Sequence, residues 1–181
     1  MSHFLFLQID ISQVSVIVFE MNNMISNKDY DKIYTTLVGI NVVFAKMWKK
    51  DPKLIFTDEI EKAALEIIDG KFRLCFNQQF WNSLNHYNRV FIICHEYLHV
   101  IYGHWLIRAD LNQEWMNIAQ DIEINESLVD DFGFLHEKIT GWKNHCFIET
   151  VFKEHAGLVL KDQSFEYYYE LLMKCLPDES K

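Results

Sequence analysis

The spacing of apolar residues along the chain predicts a mainly helical protein. Apolar positions that recur every three or four residues are typical of a helix that buries one of its faces. This spacing predicts helices at residues 29–50, 58–68, 78–84, 88–107, 114–131 and 164–176. Asp51-Pro52 ends the first of them, because proline cannot continue the helical hydrogen-bond ladder and restricts the residue before it.

Short runs of β-branched and aromatic residues predict a small sheet beside these helices. We expect a strand pair at residues 4–19, a short strand at 54–57 and an edge strand at 71–76. Asp69-Gly70 is typical of a tight turn and leads into the last of these strands. The pattern predicts the α+β class and a single domain over residues 1–181, since no repeat or linker interrupts it.

The helix predicted at residues 88–107 differs from the others because its apolar residues face all round. A helix of this kind is buried on every side. Ionisable side chains inside it are rarely tolerated without hydrogen-bonding partners or a metal ion. Any such side chains are therefore candidates for a functional site.

The charge of the chain limits the partners that it can have. Acidic residues number 26 and Lys plus Arg 17, so the formal net charge is -9 and the positive surface that grips nucleic acid is missing. No apolar run reaches the length of a membrane span, so no membrane association is expected. The four cysteines have no paired spacing, which predicts neither a disulfide framework nor a zinc ribbon and favours a reducing cytoplasm.

Three residues of the predicted buried helix, His95, Glu96 and His99, form the pattern H-E-x-x-H. The histidines are four residues apart and therefore lie on one face of the helix, where both imidazoles can bind one zinc ion. Zinc lowers the pKa of a bound water towards ~7, and Glu96, beside the first ligand, is placed to accept its proton. The motif therefore predicts a hydrolytic zinc site with Glu96 as the general base.

A catalytic zinc site uses a third protein ligand, for which Asp121 is the favoured candidate. Asp121 lies between Asn117 and Asn125 in a polar stripe of the helix predicted at residues 114–131. A helix packed against the first could aim this stripe at the metal, with the two asparagines orienting the ligands through hydrogen bonds. Glu123 is nearly opposite Asp121 on the same helix, so only one of the two can face the site.

His104 is the alternative third ligand. It lies about 140° around a continuous helix from His99, so it can join the site only if the helix breaks at Gly103. Arg108 follows on the same segment and could pair with a carboxylate, stabilising the helix end or a developing oxyanion. Both residues are kept as candidates around the metal.

Several blocks of the sequence resemble a known family. They are the lead at residues 76–80, the H-E-x-x-H motif, the later pair His104 and Arg108, and the block Trp115, Asn117, Ala119, Asp121 and Asn125. These blocks are similar to the family described as a putative metallopeptidase domain, which occurs ahead of von Willebrand factor A-like domains in bacterial proteins and alone in phage proteins. The chain departs from the family pattern in two places, because the lead lacks its proline and Met116 is inserted in the last block.

The resemblance implies a zincin-like fold, in which the metal site lies on a buried helix packed against a second helix. It also implies a zinc ion and the hydrolysis of peptide bonds. We expect the residues after Asn125 to be too few to form a von Willebrand factor A-like domain, so a partner protein could take the place of that domain. A phage-encoded copy would act in the host cytoplasm.

Two functions from different classes remain open at this point. The first is a zinc-dependent metallopeptidase that acts on a protein or peptide substrate. The alternative is a non-catalytic interaction or regulatory protein that keeps the zincin scaffold and a structural zinc ion. Zinc content combined with peptide turnover distinguishes the two.

Overall fold

A computed structural model describes residues 25–50, 54–68, 71–106 and 110–175 of the chain. Within these residues, seven α-helices and one three-stranded sheet confirm the predicted α+β class. The strand pair predicted at residues 4–19 lies outside the described residues.

The chain divides into two compact units, with the boundary inside one helix, between Glu96 and Tyr97. The elements of the first unit are α1 (Asn27–Ile40), α2 (Val42–Lys50), β1 (Ile55–Phe56), β2 (Ala63–Ile68), β3 (Lys71–Phe76), α3 (Gln78–Ser83) and the larger part of α4 (His86–Ile101). The second unit contains the end of α4, then α5 (Gln113–Asp130), α6 (Ile148–Phe152), α7 (Phe165–Cys175) and three short 3₁₀ helices.

The prediction of a single helix at residues 29–50 is wrong, because Asn41 interrupts the helix and separates α1 from α2. Asn41 is extended, with φ −159° and ψ 132°, and its side-chain Oδ1 accepts a hydrogen bond of 2.8 Å from the backbone N–H of Val43. Asparagine competes for backbone groups in this way and favours helix starts over helix interiors. The helical spacing continues across the break because both helices bury apolar residues, such as Leu37 and Phe44.

The sheet corrects two further predictions. Residues 58–68 were expected to be helical, but β2 is a strand that pairs antiparallel with β3 from Ala63↔Phe76 to Ile68↔Lys71. β3 was expected at an edge, yet the strand order is β1-β3-β2, so β3 is central. The reason in both cases is pairing between segments, which local apolar spacing does not report.

The start of α4 is tied to the sheet through α3. Asn77 follows β3 directly, and its Oδ1 caps α3 by accepting from the backbone N–H groups of Gln79 and Phe80. Arg89 of α4 then donates from Nε to the carbonyl oxygen of Trp81 at 3.2 Å, with its guanidinium 4.6 Å from the Trp81 ring centre. These contacts fix where α4 begins.

The buried character predicted for α4 is confirmed, since every residue from 90 to 99 is buried. The helix is shorter than predicted and ends at Ile101. In the second unit, α5 and α7 share an apolar core made of Ala119, Ile122, Ile148, Phe152, Tyr168 and Leu172. This core holds one face of α5 and thereby sets where its polar residues point.

Candidate metal centre

His95 and His99 lie one turn apart within the most buried stretch of α4. Their side chains are accompanied by fully buried apolar neighbours, Cys94 and Leu98. The exposed fractions of the two histidines are only 1% and 3%. Imidazoles placed so deep in an apolar helix require polar partners, because the transfer of a polar group from water is otherwise unfavourable.

Asp121 meets His99 from helix α5 of the second unit. The helix begins at the cap Asn112, whose Oδ1 accepts from the backbone N–H of Trp115 at 3.1 Å. Asp121 lies next to Ile122, which packs in the apolar core, and is itself only 5% exposed. Its Oδ1 is 3.3 Å from Nε2 of His99.

The three predicted ligands come together as one group. His95, His99 and Asp121 each offer one ligand atom, and these atoms all lie within 4.8 Å of one another. Ligand atoms held at 2.0–2.1 Å around tetrahedral zinc lie about 3.3 Å apart, which matches the separation of His99 and Asp121. Two imidazoles and one carboxylate are also a donor set of catalytic zinc sites, so these residues fit a metal ion.

Glu96, the predicted general base, is buried on the same turn of α4 as His95. Its exposed fraction is 3%, so it is not an ordinary solvated surface carboxylate.

Cys94, on the other side of His95, is fully buried, and this burial raises the pKa of its thiol well above the usual range. The thiol therefore stays neutral and serves as packing.

His104 approaches the site by a turn that ends α4. Gly103 adopts the left-handed conformation with φ 76°, its N–H bonds the carbonyl oxygen of Val100, and the N–H of His104 bonds the carbonyl oxygen of His99 at 2.9 Å. These two bonds and the glycine form a Schellman motif, which brings the residue after the glycine back onto the last full turn. The helix does break at Gly103, as His104 requires in order to reach the site.

The break brings His104 to the Nδ1 side of the His99 ring, whereas Asp121 is near Nε2 of that ring. Nδ1 of His104 is 3.2 Å from Nδ1 of His99, whereas Nε2 of His99 faces Asp121. The group that could hold a metal ion contains Asp121 and does not contain His104. The geometry therefore favours Asp121 over His104 as the third ligand.

Glu123 makes a contact that sequence reasoning missed. Its Oε2 lies 3.1 Å from Nε2 of His104 and also accepts a hydrogen bond of 2.9 Å from the backbone N–H of Phe165 at the start of α7. Only one of the two carboxylates of this helix was expected to face the site, and the candidate ligand group contains Asp121 and not Glu123. The sequence shows carboxylates at both 121 and 123, but nothing in it assigns Glu123 to His104.

Three further residues were predicted around the metal, namely Asn117, Asn125 and Arg108. Asn125 is buried and donates from Nδ2 to the carbonyl oxygen of Cys146 at 3.0 Å. Asn117 lies half-buried one turn before Asp121. Arg108 lies outside the described residues. The roles of Asn117, Asn125 and Arg108 in orienting ligands stay predictions.

No helix within the described ranges combines the length and the apolar composition needed to cross a bilayer.

Comparison with known proteins agrees with the chemistry of this group. Searches of curated proteins and of solved structures find no match to the chain. A family model described as "Putative metallopeptidase domain" matches residues 54–165, a range that contains both α4 and α5. Since this match covers more than half of the 181 residues, the chain belongs to that family.

Proposed function

We propose that this chain is a zinc-dependent metallopeptidase of the zincin type that hydrolyses peptide bonds in a protein or peptide substrate. The single observation that carries the proposal is the buried group of His95, His99 and Asp121, whose ligand atoms lie within 4.8 Å of one another, with both histidines on the same helix as the buried Glu96. Membership of a metallopeptidase-like family supports the same reaction class. Two imidazoles and a carboxylate favour zinc over calcium or magnesium, which prefer oxygen ligands.

The residues of the chain divide the chemistry among them. His95, His99 and Asp121 hold the metal, which when bound activates a water molecule and stabilises negative charge on the substrate carbonyl oxygen. Glu96 accepts the proton of the attacking water and returns it to the leaving amine. Burial of all four side chains keeps bulk water away, so the electrostatic interactions among them are weakly screened.

Metal content tests the site. Purified without added metal and then offered zinc, the parent chain is expected to hold one zinc per chain by elemental mass spectrometry, and His99→Ala and Asp121→Asn are expected to lose it. The exposed His155 provides the matched control, because His155→Ala should keep the metal. A parent chain that takes up no zinc would remove the proposed function.

Substitution of Glu96 tests the reaction. Glu96→Gln keeps a similar side-chain volume but cannot accept a proton. The variant is therefore expected to retain zinc, and its rate of hydrolysis of labelled, denatured casein should fall at least about 100-fold. A Gln variant as active as the parent would exclude Glu96 as the base. Zinc binding without turnover of casein or of a peptide mixture by the parent would instead favour the non-catalytic scaffold with a structural zinc.

A further inference from the structure

Two hydrogen-bonding contacts link three side chains into a line behind the proposed metal. The line starts at His99, passes through Nδ1···Nδ1 to His104 at 3.2 Å, and continues from Nε2 of His104 to Oε2 of Glu123 at 3.1 Å. All three residues belong to the second compact unit. Nε2 of His99, at the front of the line, is the atom 3.3 Å from Asp121.

The carboxylate at the end of the line sets the direction of every bond in it. An ionised carboxylate only accepts hydrogen bonds, so Nε2 of His104 must carry the proton that is donated to Glu123. With both imidazoles neutral, the other nitrogen of His104 is an acceptor, and Nδ1 of His104 then accepts from Nδ1–H of His99. This leaves a lone pair on Nε2 of His99, which is the form that a metal ligand requires.

The surroundings of His104 hold it in this orientation. Its ring is buried and meets the rings of Tyr102 and Phe165 edge-on, with centres 5.7 and 5.5 Å away. Glu123 is fixed in turn, because the same oxygen accepts from the backbone N–H of Phe165. Packing and backbone geometry therefore leave the His104 ring little freedom to rotate.

We propose that His104 and Glu123 are positioning residues which hold His99 in the Nδ1–H tautomer, with Nε2 directed at the metal. The inference rests on the proposed metal site and deepens it, since it assigns His104 to the support of a ligand and not to the ligand set. Outer partners of this kind typically contribute 10-fold to 100-fold in metal affinity, so the effect should be measurable without any assay of activity.

The test measures zinc affinity by competition with a chromophoric chelator, on variants whose folding is checked by circular dichroism. His104→Ala is expected to bind one zinc per chain about 10-fold to 100-fold more weakly than the parent. His104→Asn is expected to recover most of this loss, because its Oδ1 stands where Nδ1 of histidine stood and can accept from His99. A purely structural role for the ring would not produce this rescue.

Neutralisation of Glu123 gives a second arm with a matched control. Glu123→Gln is expected to weaken zinc binding, whereas Glu126→Gln should leave it unchanged. Both substitutions remove one negative charge from α5, but Glu126 bonds the backbone N–H of Ile148 and Lys161 and has no place in the line. Equal effects of the two variants would indicate a general charge effect and overturn the inference.

Two other outcomes would also overturn it, and they are distinct from failure of the proposed function. Affinity in His104→Ala equal to that of the parent would remove His104 from the support of the site. Complete loss of zinc in His104→Ala, as in His99→Ala, would make His104 a ligand. Absence of zinc from the parent would reject the proposed function and this inference together.

Discussion

Gly103 and Gly39 differ in backbone conformation, so substitution by alanine should change the free energy of unfolding in opposite directions at the two positions. Gly103 has φ 76°, and a Cβ added there would meet only Leu106 at 3.9 Å, so backbone strain alone should lower the free energy of unfolding of Gly103→Ala by about 1 kcal/mol. Gly39 lies in α1 with nothing within 4 Å of an added Cβ, so Gly39→Ala should raise stability by roughly 0.5–1 kcal/mol. Urea unfolding of both variants measures the two shifts.

The two glycine variants control for each other. Loss of stability in both would mean that the effect comes from something other than the backbone conformation at each position. We also expect Gly103→Ala, unlike Gly39→Ala, to weaken zinc binding, because the left-handed turn is what returns His104 to His99.

His86 makes the stability of the chain depend on pH. Burial, followed by the nearby charges of Lys32 and Arg89, holds the pKa of His86 below its usual 6.5. In the unfolded chain His86 takes up a proton near pH 6.5, whereas in the folded chain it does so only at lower pH. The contribution of His86 to the free energy of unfolding is therefore fully present above pH 6.5 and is lost as the pH falls through the pKa of the folded state.

Substitution of His86 isolates this contribution. Between about pH 7 and 5.5, His86→Gln is expected to lose less stability than the parent in urea unfolding. His155→Gln, at an exposed position, serves as the control and should follow the parent. Parallel losses in the parent and in His86→Gln would contradict the expectation.

At the scale of residues, the candidate ligands could be predicted from the sequence, but the contacts behind them could not. His95, Glu96 and His99 are recognisable because one helical turn separates the two histidines, and a helix of known pitch converts spacing into direction. His104 required knowledge of the turn at Gly103, and Glu123 required the pairing of a histidine with a carboxylate of another helix. Contacts between segments have no fixed spacing in a sequence.

At the scale of elements, helix α7 should be stabilised by one face only. Leu172 is fully buried in the core shared with α5, whereas the next residue, Met173, is 51% exposed. Leu172→Ala is expected to lower the free energy of unfolding by about 2–5 kcal/mol, and Met173→Ala should change it by less than about 0.5 kcal/mol. Urea unfolding tests the pair, and similar losses at the two positions would contradict the packing of α7 described above.

The strands predicted at residues 54–57 and 71–76 are confirmed as β1 and β3, and the helices that were predicted correctly are those with a complete local signal. Helices α3, α4, α5 and α7 have helical spacing within their own residues or a polar cap directly before them, as at Asn77 and Asn112. The segment that became β2 is short and apolar, and its state is decided by hydrogen bonds to β3. Asn41 interrupts an otherwise continuous helical pattern, because a single cap can break a helix without changing the apolar spacing.

At the scale of the whole molecule, zinc should act as a stabilising ligand of the folded chain. A ligand that binds only the folded state at 100 times its Kd adds about 2.7 kcal/mol, and each kcal/mol shifts the Tm of a domain of this size by roughly 2–4 °C. We therefore expect differential scanning calorimetry to show a rise in Tm when zinc is added to the metal-free parent. His99→Ala should show no rise, and an equal rise in this variant would indicate zinc binding elsewhere on an acidic chain of net charge -9.

The turn at Gly103 depends on the number of residues between His99 and His104. Insertion or deletion of one residue there would leave both histidines in the chain but would shift the second off the hydrogen-bond pattern that returns it to the first. On the proposed role of His104, the spacing H-E-x-x-H-x-x-x-G-H forms one compound signature, in which the glycine marks the last histidine as a support of the preceding candidate ligand. In other chains the same signature would identify an orienting histidine from residue order, and a changed spacing would argue against one.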